Sequence, residues 1–169
     1  MTEHREHECP FDDQAVTDSL IATDGRTSVI TNIAPIVPGH VLVIPVRHVS
    51  SLLDLSETEL EGFFRFARSA TSMVIEVFSA EAFNWSLQDG VAAGQTVGHL
   101  HLHVIPRYRG DLPEPGDWYP KLQQPIGDAS HADHIDSDER QRLTSEQLED
   151  LTHRIRARAA ALDALPGGR

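Results

Sequence analysis

Three histidines alternate with aliphatic residues in the run His99-Leu100-His101-Leu102-His103-Val104-Ile105. On an extended strand alternate side chains share a face, so three imidazoles would point one way while Leu100, Leu102 and Val104 turn into a core. A purely structural strand would carry Thr, Lys or Glu on its wet face. The chain holds ten histidines in all, and chance rarely sets three of them at period two. Two chemistries use such a row. Histidine is the commonest metal ligand, but strand spacing starts neighbouring imidazoles roughly 7 Å apart and the outer pair roughly 13 Å apart. Zinc needs each nitrogen at about 2 Å, so three histidines on one straight strand do not easily share an ion. The other use is nucleophilic catalysis, in which one imidazole attacks while its neighbours position it and donate hydrogen bonds. Directly before the run lies Gly94-Gln95-Thr96-Val97-Gly98, whose glycines, amides and small polar side chains suit phosphate oxygens. Arg107 and Arg109 follow it and are candidates to meet further phosphates, although a solvated surface arginine is the default reading for both.

The elements that must hold these residues can be read from periodicity. Residues 15–33 contain two apolar runs separated by Asp24-Gly25, a hairpin signal. Pro35 to Gly39 reads as a rigid turn, and Gly39 to Val46 as an aliphatic strand. Ser56 with Glu59 forms a capping-box pattern. Leu60, Phe63, Phe64, Ala67, Ala70, Val74, Ile75 and Phe78 follow at helical spacing, which predicts a helix from Ser56 to about Ser79. Ala82 to Gln88 reads as a strand, Asp89 to Gly94 as a loop, and His99 to Arg107 as a strand. Thr144 with Gln147 is a second capping box, opening a helix to about Leu162 with Leu148, Leu151, Ile155 and Ala159 on one face. Hairpin-linked strands with two helices predict an α+β fold with an antiparallel sheet.

Composition narrows the function classes. At 169 residues the chain suits one domain. It carries 26 acidic residues against 14 basic ones, of which only Lys121 is lysine, for a net charge of −12. Such a chain should repel nucleic acid polymers and anionic membranes, both of which require a positive field. The shortage of lysine suits a high-salt cytoplasm or, equally, a codon usage that favours arginine. No apolar stretch is long enough to span a membrane, and the polar, acidic start MTEHREHECPFDD has no signal-peptide core. The single cysteine, Cys9, builds no internal disulfide framework and points to a reducing cytoplasm.

The stretch SLQDGVAAGQTVGHLHLHVIPRYRGD resembles the signature of the histidine-triad (HIT) superfamily, His-φ-His-φ-His-φ-φ. In detail it is similar to the fragile-histidine-triad branch of diadenosine polyphosphate hydrolases. The segment from Asn32 through Pro38-Gly39-His40 to Pro45 matches that branch too, and the likeness runs from about Ser28 to Asp111. It implies the HIT fold: α+β, an antiparallel five-stranded sheet with a central helix and a C-terminal helix. Residues 1–12 become a flexible lead-in, 13–111 the HIT domain, 112–143 a long acidic surface loop and 144–169 the C-terminal helix and tail. The implied activity is hydrolysis at the α-phosphate of a dinucleoside polyphosphate, releasing a nucleoside monophosphate. Phosphoramidate hydrolysis and a slow-turnover nucleotide-binding signalling module are the alternatives.

Residue by residue, the resemblance implies that His101 attacks the α-phosphorus with its other nitrogen held by the backbone carbonyl of His99. His103 would donate to a non-bridging oxygen, and Gln95 would sit at the scissile bridge. His40 packs near the triad, and Asn32 binds ribose hydroxyls. Phe11, Ile30, Ile33 and Leu42 are candidates to sandwich the base, with Gly94, Thr96 and Val97 beside the phosphates. Magnesium would accompany the substrate, and the chain would form a homodimer through the central helix and an edge strand. Some relatives hold structural zinc through a Cys-x-x-Cys, a later histidine and the first triad histidine. Here those positions are Cys9, Asp12, His48 and His99. Aspartate can ligate zinc, but this departure leaves the sequence favouring no structural zinc. The residues from Gly116 to Tyr119, and the acidic run holding His131 and His134, have no counterpart in the family; both histidines read as solvated.

Overall fold

The computed structural model describes residues 9–11, 15–114, 116–118 and 142–166. Its strands are β1 (Leu20–Thr23), β2 (Thr27–Thr31), β3 (Val41–Pro45), β4 (Ala82–Leu87) and β5 (Leu102–Arg107). Its helices are α1 (Ala15–Ser19), α2 (Glu57–Phe78) and α3 (Ser145–Ala161). Asp24-Gly25 does turn the β1–β2 hairpin. The Asp24 carboxylate accepts the N–H groups of Arg26 and Thr27 at 2.9 and 2.8 Å, while Gly25 takes φ +86°. All neighbouring strands run antiparallel in the order β1-β2-β3-β5-β4.

Alternation sorts the sheet into two faces. Val29, Val41, Val43, Leu102 and Val104 point to the face covered by α2, where Phe63, Phe66, Ala67, Ala70, Met73, Val74 and Val77 complete one core. Ile30, Leu42 and Ile44 point the other way and gather Phe11, Val16 and Leu20. His103 pairs with Leu42 across β3–β5 and shares this second face. The chemistry therefore sits on the face that α2 leaves uncovered.

The two long helices begin where the sequence places them. Ser56 and Glu59 make both halves of a capping box, as do Thr144 and Gln147. α2 ends at Ser79 in the left-handed region, φ 54°. α3 adds Ile155 and Ala159 to the main core. Thr152 Oγ1 donates to the Leu148 carbonyl at 2.7 Å, so Thr31 Oγ1, 2.7 Å away, must donate to Thr152. The Leu143 N–H, donating to the Ile33 carbonyl at 2.8 Å, ties the approach to α3 to the loop after β2.

Two expectations shift. The first apolar run is a short helix before it is a strand, because Val16 and Leu20, four residues apart, both pack on the Ile30 cluster. The histidine strand starts at Leu102, not His99. The Leu100 N–H leaves the ladder for the Val49 carbonyl at 2.6 Å, and ladder pairing with β3 begins at Val43–Leu102. Asp12, His131 and His134, and most of the expected 112–143 loop, lie outside the described residues. No helix among the described residues is long and apolar enough to cross a membrane.

Candidate active site

Each triad histidine meets a different partner, and the partner decides which nitrogen carries the proton. The His99 carbonyl lies 2.8 Å from His101 Nδ1. A carbonyl only accepts, so Nδ1 holds the proton and the Nε2 lone pair is left for attack. His101 is buried, and burial holds its pKa below the ordinary histidine value; the bond to His99 opposes that shift only in part. The imidazole is thus the neutral base that nucleophilic attack requires.

His99 has no solvent exposure, and its Nε2 donates to the Pro45 carbonyl at 2.9 Å. Its Nδ1 lone pair therefore turns away, toward Cys9 Sγ at 3.5 Å. Phe11 N–H donates to the same sulfur at 3.4 Å. The His48 ring stands edge-on to His99 with centroids 4.9 Å apart. Ligand atoms of Cys9, His48 and His99 all lie within 4.8 Å of one another. Zn–S of about 2.3 Å and Zn–N of about 2.05 Å at a tetrahedral angle would separate sulfur from nitrogen by about 3.6 Å. The Cys9–His99 spacing fits that geometry, and the Pro45 carbonyl supplies the outer hydrogen bond that metal-binding histidines use. The site thus gathers three of the four residues that the resemblance named, although the sequence favoured no zinc.

His103 lies beside His101, ring centroids 5.1 Å apart, and its Nδ1 is 2.9 Å from His40 Nε2. His40 is 1 % exposed, so it is a core member of the site and not a surface imidazole. Asn32 is also buried. Its Oδ1 accepts the Ala34 N–H at 2.9 Å and its Nδ2 lies 3.4 and 3.2 Å from the two His40 nitrogens.

The other expected residues divide. Phe11 stands edge-on to His99 and His101, centroids 5.7 and 5.5 Å away, and joins Ile30 and Leu42 in one apolar patch beside the triad. Ile33 is 45 % exposed and outside that patch. Gly94 caps a short 3-10 turn at φ +89°, followed by exposed Thr96 and half-buried Val97. Gln95 is placed differently from the expectation of a group at the scissile bridge. Its Oε1 accepts the Gly90 N–H at 2.7 Å and its Nε2 donates to the Ser50 carbonyl at 2.9 Å. The amide thus braces the loop internally through Gly90 and ties it to Ser50, while Asp89, accepting from Ser51 and Leu52, adds to that tie. Arg107 is held by Asp111 at 2.7 Å and by Asn84 at 2.9 Å, and Arg109 lies 3.6 Å from Glu81. The Arg107 guanidinium is thus committed to Asp111 and Asn84, while Arg109 stands exposed at the surface.

Sequence reasoning missed Ser86 and Gln88. Ser86 pairs with His103 across β4–β5, which puts it on the histidine face, and Gln88 Nε2 donates to Ser86 Oγ at 2.7 Å. The alternation Ser86-Leu87-Gln88 carried the signal. Only the β4–β5 register turns it into a location on the far side of His103 from Leu42.

Residues 14–110 match the HIT domain family model. The bis(5'-nucleosyl)-tetraphosphatase (asymmetrical) of Schizosaccharomyces pombe is 46% identical over 101 residues, 60% of this chain and 56% of that protein. A bis(5'-adenosyl)-triphosphatase of Saccharomyces cerevisiae is 39% identical over 102 residues, 57% of this chain and 50% of that one. The chain thus spans about half the length of these curated relatives. Among solved structures, a zinc-bound histidine triad family protein from Mycobacterium smegmatis superposes with TM-score 0.57 at 28% identity, covering 86% of each chain.

Proposed function

The chain belongs to the HIT domain family, and on that premise we propose that it hydrolyses a dinucleoside polyphosphate at the α-phosphate through a nucleotidyl-His101 intermediate. One observation carries the reading: the 2.8 Å bond from His101 Nδ1 to the His99 carbonyl, which leaves a buried, neutral Nε2. Nε2 attacks the α-phosphorus, the bond to the bridging oxygen breaks, and the remaining polyphosphate leaves with the electron pair. The imidazole then carries positive charge, which the His99 carbonyl shares through Nδ1–H. Water attacks the same phosphorus, the P–N bond returns its pair to Nε2, and a nucleoside monophosphate leaves as one water proton passes to the buffer.

The base lies on the Phe11, Ile30 and Leu42 patch in this reading, and Asn32 serves the ribose through the second lone pair of Oδ1. Ser86 and Gln88, beyond His103, face the leaving group in place of Gln95. Gly94, Thr96 and Val97 border the phosphates on a loop that Gln95 stiffens. Magnesium travels with the polyphosphate as its counterion. Zinc is the metal that Cys9, His48 and His99 suit, and there it would fasten the Cys9–Phe11 segment to the triad. The chain works as a two-fold dimer joined along β4, an assignment supported by its place at the sheet edge and by Phe83, 48 % exposed on it. A reducing cytoplasm suits the single cysteine.

Product analysis tests the activity. Wild type and His101→Ala are offered diadenosine tri- and tetraphosphate and an adenosine phosphoramidate, with magnesium. The expected result is AMP from a dinucleotide and a loss of at least about 100-fold in His101→Ala. Preference for the phosphoramidate would keep the nucleophile and move the substrate class. Full activity in His101→Ala would sink the mechanism.

A further inference from the structure

We infer that His40 is a positioning residue that sets the tautomer of His103, and that the turn from Pro35 to Gly39 sets the tautomer of His40. One group in this network has no freedom of role. A backbone N–H can only donate, and the Ile36 N–H is aimed at His40 Nδ1 at 3.2 Å. That nitrogen must therefore carry a lone pair. The Asn32 amide agrees: Ala34 N–H fixes its oxygen end, so its NH2 faces His40 and offers Nδ1 a second donor at 3.4 Å. A neutral His40 then has its proton on Nε2. The Asn32 nitrogen also lies 3.2 Å from Nε2, but an amide NH2 accepts nothing. The acceptor in line is His103 Nδ1 at 2.9 Å. With Nδ1 accepting, His103 carries its proton on Nε2.

The consequence is chemical. A developing phosphoryl oxyanion needs a donor, and His103 in the opposite tautomer would turn a lone pair toward it. His40 touches no substrate in this scheme; it keeps the His103 proton at Nε2. The turn that aims Ile36 is held from several sides. His40 N–H donates to the Val37 carbonyl at 3.2 Å, Asn32 N–H to the His40 carbonyl at 3.3 Å, and the Tyr108 hydroxyl to the Pro38 carbonyl at 3.0 Å. Gly39 takes φ +86°, and a Cβ there would sit 2.8 Å from the Phe78 ring. Backbone geometry in a turn thus reaches the proton on a triad histidine through one intervening ring.

The inference rests on the reading that His101 attacks phosphorus, but its spectroscopic arm stands without any activity. In wild type with 15N-labelled histidine at neutral pH, long-range 15N–1H correlation should show His103 Nδ1 unprotonated and Nε2 protonated. His40→Gln, whose amide NH2 can donate to His103 Nδ1, should keep that pattern and a single-turnover rate close to that of wild type. His40→Phe, which fills the space with no donor, should lose the single tautomer. Its single-turnover rate should fall in proportion to the His103 fraction that no longer carries its proton on Nε2, about twofold for an even tautomer mixture, with nucleoside monophosphate affinity changed less than about threefold. A His103 protonated at Nδ1 in wild type overturns the inference, and that spectrum decides even if His40→Phe does not fold. A folded His40→Phe with the wild-type tautomer and rate overturns it as well. An inactive wild type with the expected spectrum removes the substrate reading and leaves the relay in place.

Discussion

Arg107 illustrates what a single residue can hide. By type and position, two residues beyond the last strand core, it reads as a solvated surface arginine or a ligand for a distal phosphate. The structure gives it to Asp111 in a bidentate pair at 2.7 and 2.8 Å, with side-chain exposures of 12% and 8%. The Arg107 guanidinium and the Tyr108 N–H hold the Asp111 carboxyl down at about 2. The sign follows from linkage. An unfolded Asp111 titrates near 3.8, so the folded form binds its proton later on acidification. The pair supports the fold fully above about pH 4, and that support is lost as pH falls from there through about 2. Asp111→Asn should lower stability at pH 7 by about 2 kcal/mol, the scale of hydrogen bonds to a charged group. It should also flatten the stability curve between pH 4 and pH 2, measured by urea melts, while substrate KM changes little. A variant with wild-type acid sensitivity would refute this account of the pair. The triad was legible for the opposite reason: alternation in one short strand declares a shared face without distant partners. Gln95 and Gln88 are chemically the same residue, and only the register that sets Ser86 opposite His103 separates the loop brace from the amide bonded to Ser86.

At the scale of elements, local signals were faithful where the physics is local. Both capping boxes, the Asp24-Gly25 hairpin and the span of α2 follow from side chains reaching no further than four residues. The misses come from long-range competition. α1 forms as Val16 and, just past its end, Leu20 meet the Ile30 cluster, and β5 starts late because Val49 takes the Leu100 N–H. The Cys9–Phe11 segment is the sharpest case, since periodicity says nothing of it and its sequence reads as part of a flexible lead-in. Its described part is fixed to the triad through the Cys9 sulfur and the Phe11 ring. If zinc binds there, the protein as purified under metal-replete conditions should carry about one zinc per chain by elemental analysis. Cys9→Ser and His48→Ala should each lose most of it. Chelation should lower the melting temperature by several degrees and expose the Cys9 thiol to alkylation, because ligand binding to the native state adds to its stability. A zinc-free wild type, or full zinc in both variants, would count against the site.

For the whole molecule, the sheet order was the least legible feature. Strand spacing along the chain gives no reason for β5 to insert between β3 and β4, yet that insertion brings His103 against Leu42 on one side and Ser86 on the other. It also leaves β4 at the edge. Its outer backbone meets no further strand among the described residues, while Phe83, Trp85 and Ile75 present apolar surface beside it. An exposed edge of this kind invites pairing with a second copy, and a two-fold axis along β4 would set the two edges antiparallel. Charge opposes the association, because each chain brings −12. The screening length shrinks from about 30 Å at 0.01 M salt to about 8 Å at 0.15 M. The dimer should therefore tighten as salt rises, contrary to a contact held by ion pairs. Sedimentation at about 10 µM chain should give a dimer mass at 0.15 M salt and a larger monomer fraction at 0.01 M. Phe83→Glu places a carboxylate at the seam and its two-fold mate close by, so it should give monomer at both salts with the fold intact by circular dichroism. A Phe83→Glu protein that still sediments as a dimer would move the interface away from β4, and a wild-type dimer that weakens with salt would mean that ion pairs hold it.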